Sequence, residues 1–296
     1  MIRIGLAGWG DHDSLYPPGT KPQDKLKRYA RKWPVVEVDS TFYALHSPER
    51  LAAWTNETPD GFRFVVKAYQ ALTGHRRGKP GNGSLEADFE AFRASLGPMM
   101  EAGKLSAVLF QYPPWFDCTR DHIRELRGAK ERMAGIPCAL EFRHQSWFTE
   151  AYREKTLAFM ETEGWIHSVC DEPQTGTGSV PTVLRATDPF LTIVRMHGRN
   201  AAGWESGGGA NWREVRYLYD YGEPELAEWR QRLELLERQS DPDGDILVIF
   251  NNNSGGHAAG NAAALMRLLG QEAPELEIAR REPEQLDLFH IPGMEE

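Results

Sequence analysis

The 296-residue chain is poor in features that would fix its class at once. Its three cysteines, Cys118, Cys138 and Cys170, form no CxxC spacing and leave one over, which speaks for reduced thiols rather than a disulfide framework. There is no run of eighteen apolar residues, so no membrane-spanning helix is expected. The opening Met1-Ile2-Arg3-Ile4-Gly5-Leu6 reads as a strand, not a secretory leader, and a cytoplasmic location is expected. Neither GxGxxG nor a P-loop occurs, so no nucleotide cofactor is expected. HExxH and the GxSxG elbow are also missing, which removes the commonest zinc-protease and serine-hydrolase readings. A basic excess is lacking too, since the net charge is −9. That charge is uneven. Residues 271–296 hold eight carboxylates against Arg280 and Arg281, leaving residues 1–270 near −3.

What is present is an alternation. Strand-like runs fall at Arg3–Gly8, Val35–Asp39, Arg63–Lys67, Ser106–Gln111, Cys138–Arg143, Trp165–Val169, Thr192–His197 and Ile246–Asn251, with amphipathic helical stretches between most of them. Most of these runs are apolar on both faces, as strands of a helix-covered parallel sheet must be. Eight such units predict a (β/α)₈ TIM barrel over residues 1–270. The connection Glu172–Pro189, rich in Gly, Pro, Thr and Ser, reads as a long loop. Residues 199–222 read as a second insertion, and residues 271–296, broken by prolines and acidic, as a flexible tail.

Side chains two apart on a strand share a face. Glu37 pairs in this way with Asp39, Glu141 with Arg143, Val169 with Asp171, and Arg195 with His197 and Arg199. Lys67, Gln111, Asn251 and Asn252 also close hydrophobic strands. In a barrel those carboxyl ends form the active-site face. Glu37, Glu141 and His197 are the acid–base candidates. Lys67, His75, Gln111, Arg143, His144, Trp147, Asp171, Arg195, Arg199, Asn251 and Asn252 are the candidate substrate contacts. Arginines suit a phosphate or carboxylate, and they equally suit the neutralisation of neighbouring carboxylates; both readings stand. A divalent metal could be held by Glu37, Glu141, Asp171, His144 and His197, although no ligand signature supports it. Loop cations (Arg76, Arg77, Lys79, Arg213, Arg216) and strand-end aromatics (Trp9, Phe42, Tyr43, Trp115, Trp204, Trp212, Tyr217) would add charge and stacking surface.

These residues fall in segments with a familiar order: Gly8-Trp9, Val36–Tyr43, Phe62–Lys67, Leu72–His75, Leu109–Pro114, Glu141–Trp147, Val194–Arg199, Tyr219–Tyr221 and Phe250–Asn252. The pattern resembles the DUF72 (YecE-like) family from Ile2 to about Leu269. The first loop, Gly10–Leu15, departs from it in lacking an aromatic-rich stretch, and Gly74 separates Thr73 from His75. The resemblance implies a barrel with a site at the strand ends, and no reaction.

A second resemblance lies in the tail. Gln285-Leu286-Asp287-Leu288-Phe289 is similar to the bacterial sliding-clamp-binding peptide, whose Leu and Phe fill an apolar pocket while Gln hydrogen-bonds at its rim. A peptide that instead packs back on the barrel is the plainer reading. Three functions follow as expectations. One is a clamp-associated DNA repair or processing hydrolase, tethered by the sliding clamp so that no basic face is needed. The others are an isomerase or hydrolase of a sugar-phosphate-like molecule with an incidental tail, and a non-catalytic clamp-binding adaptor.

Overall fold

The computed structural model describes residues 1–76, 83–205 and 215–277. Its eight strands are β1 Ile2–Ala7, β2 Val35–Val38, β3 Arg63–Lys67, β4 Leu105–Gln111, β5 Cys138–Glu141, β6 Ile166–Asp171, β7 Leu191–Met196 and β8 Asp245–Phe250. They close in sequence order into a barrel, every neighbouring pair parallel. The expected (β/α)₈ TIM barrel is the observed fold.

Closure follows from strands that are apolar on both sides. Ala7, Val35, Val65, Ala107, Leu109, Ala139, Ile166, Ile193, Leu247 and Ile249 fill the lumen as one buried cluster. The alternate residues, among them Ile4, Leu6, Val36, Phe64, Val108, Phe110, Leu140, Val169, Val194 and Val248, form a larger cluster under the helices. Those helices are α1 Pro22–Tyr29, α2 Pro48–Asn56, α3 Leu85–Glu101, α4 Arg120–Arg132, α5 Arg153–Glu163, α6 Glu223–Glu237 and α7 His257–Leu268, with short turns of helix at Ser40–Tyr43 and Ala201–Glu205. Ser47, Ser84 and Thr119 cap α2, α3 and α4 through their side-chain oxygens. No helix follows β6; residues 172–190 form the long loop that was expected.

Two contacts show how tightly the first strands close. A Cβ on Gly5 would lie 2.0 Å from the Val35 carbonyl oxygen, so only glycine lets β1 approach β2 there. The buried Tyr29 hydroxyl accepts from the Leu6 N–H and donates to the Val35 carbonyl, each at 2.8 Å, which completes the hydrogen bonding between those strands.

Beyond α7 the packed chain runs past the expected boundary at residue 270. Gln271 donates to the Ile2 carbonyl (2.9 Å), Lys32 to the Glu275 carbonyl (2.9 Å), and the Glu277 N–H to the Ser14 carbonyl (2.7 Å). Ala273 and Leu276 pack on the outer core and hold this segment down. It runs from the amino end of β1 to the loop after β1. The rest of the expected tail, including Gln285–Phe289, lies outside the described residues. Among the described residues no helix is long and apolar enough to cross a membrane.

Candidate active site

The inner face of seven of the eight strands, β2 to β8, continues at its carboxyl end into polar chemistry. Stepping by two from the lumen residues leads from Val35 to Glu37, Val65 to Lys67, Leu109 to Gln111 and Ala139 to Glu141 and Arg143. The same step leads from Ile166 to Ser168, Cys170 and Glu172, from Ile193 to Arg195 and His197, and from Ile249 to Asn251. The strands place these groups around one ring, where side chains from opposite sides meet.

At the floor of the mouth they form an alternating row of charges. Arg195 holds Glu37 through Nε (2.8 Å to Oε2) and Nη2, and its Nη1 donates to Oε2 of Glu141 at 2.8 Å. Arg143 pairs with the other oxygen of Glu141 (Nε to Oε1, 2.8 Å), and its Nη1 reaches Glu172. The order is therefore Glu37, Arg195, Glu141, Arg143, Glu172. All five side chains are between 0 and 4% exposed. Gln111 (2.9 Å) and Ser168 (3.3 Å) donate to Glu141, and the Val180 N–H donates to Glu172 at 2.6 Å.

The row sets its own acidities. Burial pushes Glu37 up to about 7, because its one guanidinium partner is shared with Glu141. Glu172, sharing Arg143, is pushed up to about 7 for the same reason. Glu141 is equally dry, yet two guanidinium groups override burial and hold it well below the carboxylate range. His197 is held well below the usual imidazole range by burial and by Arg143 and Arg195, and is neutral. Its Nε2 lies 3.1 Å from Arg143 Nη2 and 3.4 Å from Arg195 Nη1, which can only donate. Its Nδ1 lies 3.0 Å from the carboxamide nitrogen of Asn251, which fixes the orientation of the ring.

The chemistry of the donors weighs against a metal. Glu141, Cys170 and His197 bring ligand atoms within 4.8 Å of one another. Oε2 of Glu141 already accepts from Arg195, Oε1 accepts from Gln111 and is ion-paired with Arg143, and burial raises the Cys170 thiol well above its usual range. A divalent cation among them would face two fixed positive charges. Of the other residues considered as ligands, Asp171 and His144 lie outside this cluster.

Above the floor lies a solvent-facing layer. Lys67 reaches Asp39 at 3.5 Å and sits 5.0 Å from the Phe42 ring centroid. Phe42 meets His75 edge to face at 4.9 Å, and His75 meets Trp115 at 6.0 Å. His75, lowered to about 4 by burial and by the Lys67 and Arg143 charges, is neutral and bonded to Thr73 at 2.8 Å. On the opposite side Arg216 lies over Trp204, with its guanidinium carbon 3.6 Å from the ring centroid. Arg77, Lys79, Trp212 and Arg213 lie outside the described residues.

Glu37, Glu141, His197, Lys67, His75, Gln111, Arg143, Arg195 and Asn251 thus converge on the mouth. Five expected members do not. Asp171 is on the outer face with Val169, where it accepts from Trp229 Nε1 (2.8 Å) and from Arg199. Arg199 is held there by Asp171, Glu225 and Glu228. Trp147 stacks on Phe142 (4.0 Å) and donates to the Phe116 carbonyl, which places it in the core. His144 caps a turn through Ser146, and Asn252 is buried, donating to Tyr219 and Asn261 to anchor the loop ahead of α6. The arginines meet carboxylates, so neutralisation is the reading that the geometry favours for Arg143, Arg195 and Arg199.

Sequence reasoning missed Glu172 and Ser168. Both lie on the inner parity of β6, and counting by two from Ile166 finds them.

The family model described as "Protein of unknown function DUF72" matches residues 3–286. The chain is 53% identical over 290 residues to the UPF0759 protein YunF of Bacillus subtilis, covering 98% of this chain and 100% of that one. It is 29% identical over 161 residues to the UPF0759 protein YecE of Escherichia coli, about half of each chain. Among solved structures, a DUF72 family protein of Enterococcus faecalis superposes with a TM-score of 0.86 at 34% identity, covering 97% of this chain and 100% of that one. Another, from Thermotoga maritima, gives 0.77 at 30% identity, covering 92% and 100%. By family model, by sequence and by structure, this chain belongs to the DUF72 family.

Proposed function

We propose that the barrel mouth is the active site of an enzyme that acts on an anionic, phosphate-bearing substrate, with hydrolysis as the favoured reaction. The observation that carries this reading is the buried charged row. Ions taken out of water cost several kcal/mol each unless fully paired, and apolar residues of the same volume would hold the fold as well. Such a row beneath a polar, aromatic mouth is what acid–base chemistry requires. Glu37 stands at its mouth end with an acidity near neutrality, suited to taking or giving a proton. Glu141 remains ionised and fixes the two guanidinium groups, and neutral His197 is positioned by Asn251. Lys67 is the cation that meets the substrate anion, and Phe42, His75 and Trp115 flank a ring such as a sugar or a base.

Calorimetric titration with inorganic phosphate, ribose 5-phosphate and thymidine monophosphate tests the binding part. At least one should bind to the wild type, with affinity reduced tenfold or more in Lys67→Ala. Equal binding by that variant would remove Lys67 from the site.

The tail supports a place of work. Gln285–Phe289 resembles a clamp-binding peptide, and the chain that leads to it passes Ser14 in the loop after β1. We propose that it tethers the enzyme to a sliding clamp beside DNA. Surface plasmon resonance on an immobilised bacterial clamp should show binding that Leu288→Ala and Phe289→Ala abolish. No binding at micromolar concentration would leave the small-molecule reading of the same site. Clamp binding without turnover on any phosphate substrate would favour the adaptor.

A further inference from the structure

We infer that the row Glu37–Arg195–Glu141–Arg143–Glu172 stores one exchangeable proton that either terminal carboxylate can carry, which makes Glu172 the proton-holding counterpart of Glu37. This rests on the row alone and not on the substrate proposed for the mouth. Three carboxylates alternate with two guanidinium groups in a site with almost no exposure to water. Fully ionised, the row carries an excess negative charge, which a dry environment opposes strongly. One proton removes it.

The geometry says where that proton goes. Glu141 touches both guanidinium groups and is the last to accept a proton. Glu37 and Glu172 each touch one, and that one is shared. The two ends are therefore near-equivalent sites for a single proton and titrate as one unit rather than as two independent acids.

Other groups face the ends. Asp39 and Lys67 flank Glu37 as a pair of opposite charges at 3.5 Å, close to neutral in sum. Glu172 receives the Val180 N–H and feels Arg216, which biases the proton towards Glu37. Between the ends, His197 is neutral, Gln111 and Ser168 contribute only hydrogen bonds, and burial holds the Cys170 thiol well above its usual range, so it keeps its proton. The row thus offers an acid and a base in one site, set apart by occupancy rather than by residue type. Glu37 is buried within the field of Lys67, so a protonated Glu37 is the form compatible in charge with an anion held by Lys67.

Nuclear magnetic resonance of the intact protein with carboxyl-labelled glutamate tests this. Two buried carboxyl signals should titrate together near pH 7 and account for one proton between them. One should disappear in Glu37→Gln and the other in Glu172→Gln. In Glu172→Gln two carboxylates face two guanidinium groups, so the Glu37 midpoint should fall by about two pH units or more. Arg216→Ala should move the wild-type midpoint upwards. The proposal is overturned if no buried glutamate titrates near neutrality in the wild type, or if Glu37 keeps its midpoint in Glu172→Gln. It is equally overturned if neutral-pH titration arises only once Arg216 is removed. Glu37→Gln gives the reciprocal test on Glu172, should the other variant fail to fold.

Discussion

Arg195→Met is the most informative perturbation of this barrel, because one guanidinium serves two buried carboxylates. In the wild type it binds Glu37 with two of its nitrogens and Glu141 with a third. Methionine fills much of the same volume and carries no charge. Three carboxylates then face Arg143 alone, and the row takes up one proton more than before. Breaking a buried pair in this way costs about 3–5 kcal/mol. The size of that loss must depend on pH. Without the cation, the folded-state pKa of Glu37 rises further above the ordinary value of 4.5, and that of Glu141 loses one of the two charges that hold it down. The penalty is therefore complete above the raised pKa and fades as pH falls towards the unfolded value. One extra proton is worth about 1.4 kcal/mol per pH unit, so three units recover about 4 kcal/mol. Urea denaturation should show a loss of about 3–5 kcal/mol near pH 8 that shrinks to about 1 kcal/mol near pH 5. A loss that is the same at both pH values, or below about 1 kcal/mol at pH 8, would refute the reasoning.

Two further outcomes follow from single contacts. Gly5→Ala should destabilise the barrel by about 3 kcal/mol or more in the same denaturation assay, because its methyl would meet backbone of β2 at 2.0 Å and the neighbour cannot swing away; a change below about 1 kcal/mol would show that β1 and β2 can separate. His167 is buried, lowered to about 4 by that burial, and hydrogen-bonded to the Arg185 carbonyl. Its contribution is present above pH 6.5 and is lost as pH falls from 6.5 towards 4, so His167→Gln should flatten the acid limb of the stability curve by up to about 1.4 kcal/mol per pH unit. An unchanged slope would mean that His167 charges freely in the folded state.

The fold was legible because each strand is apolar on both faces, a pattern that only a covered parallel sheet explains. The site was legible wherever the inner parity could be followed to a strand end, as at Val35–Glu37, Ala139–Glu141 and Ile193–Arg195. It failed at β6. There the sequence pattern ends the strand at Val169 and turns Asp171 inward, although both lie on the outer face and Glu172 is the inner one. Partner choice was not legible for a different reason. Whether Arg195 meets an anion or Glu37 depends on side chains of β7, β2 and β5 meeting across the lumen, and local spacing carries no information about that. Trp147 shows the same limit, because a strand-end aromatic reads alike whether it rims a pocket or stacks beneath Phe142.

The claim that the mouth is an active site for phosphate-bearing substrates meets its most direct test in a crystal soaked with thymidine monophosphate. The phosphate should lie within hydrogen-bonding reach of Lys67, with its sugar or base against Phe42, His75 or Trp115, above an intact row of charges. Nucleotide bound instead at the outer Arg199–Asp171 cluster, with the mouth empty, would contradict it.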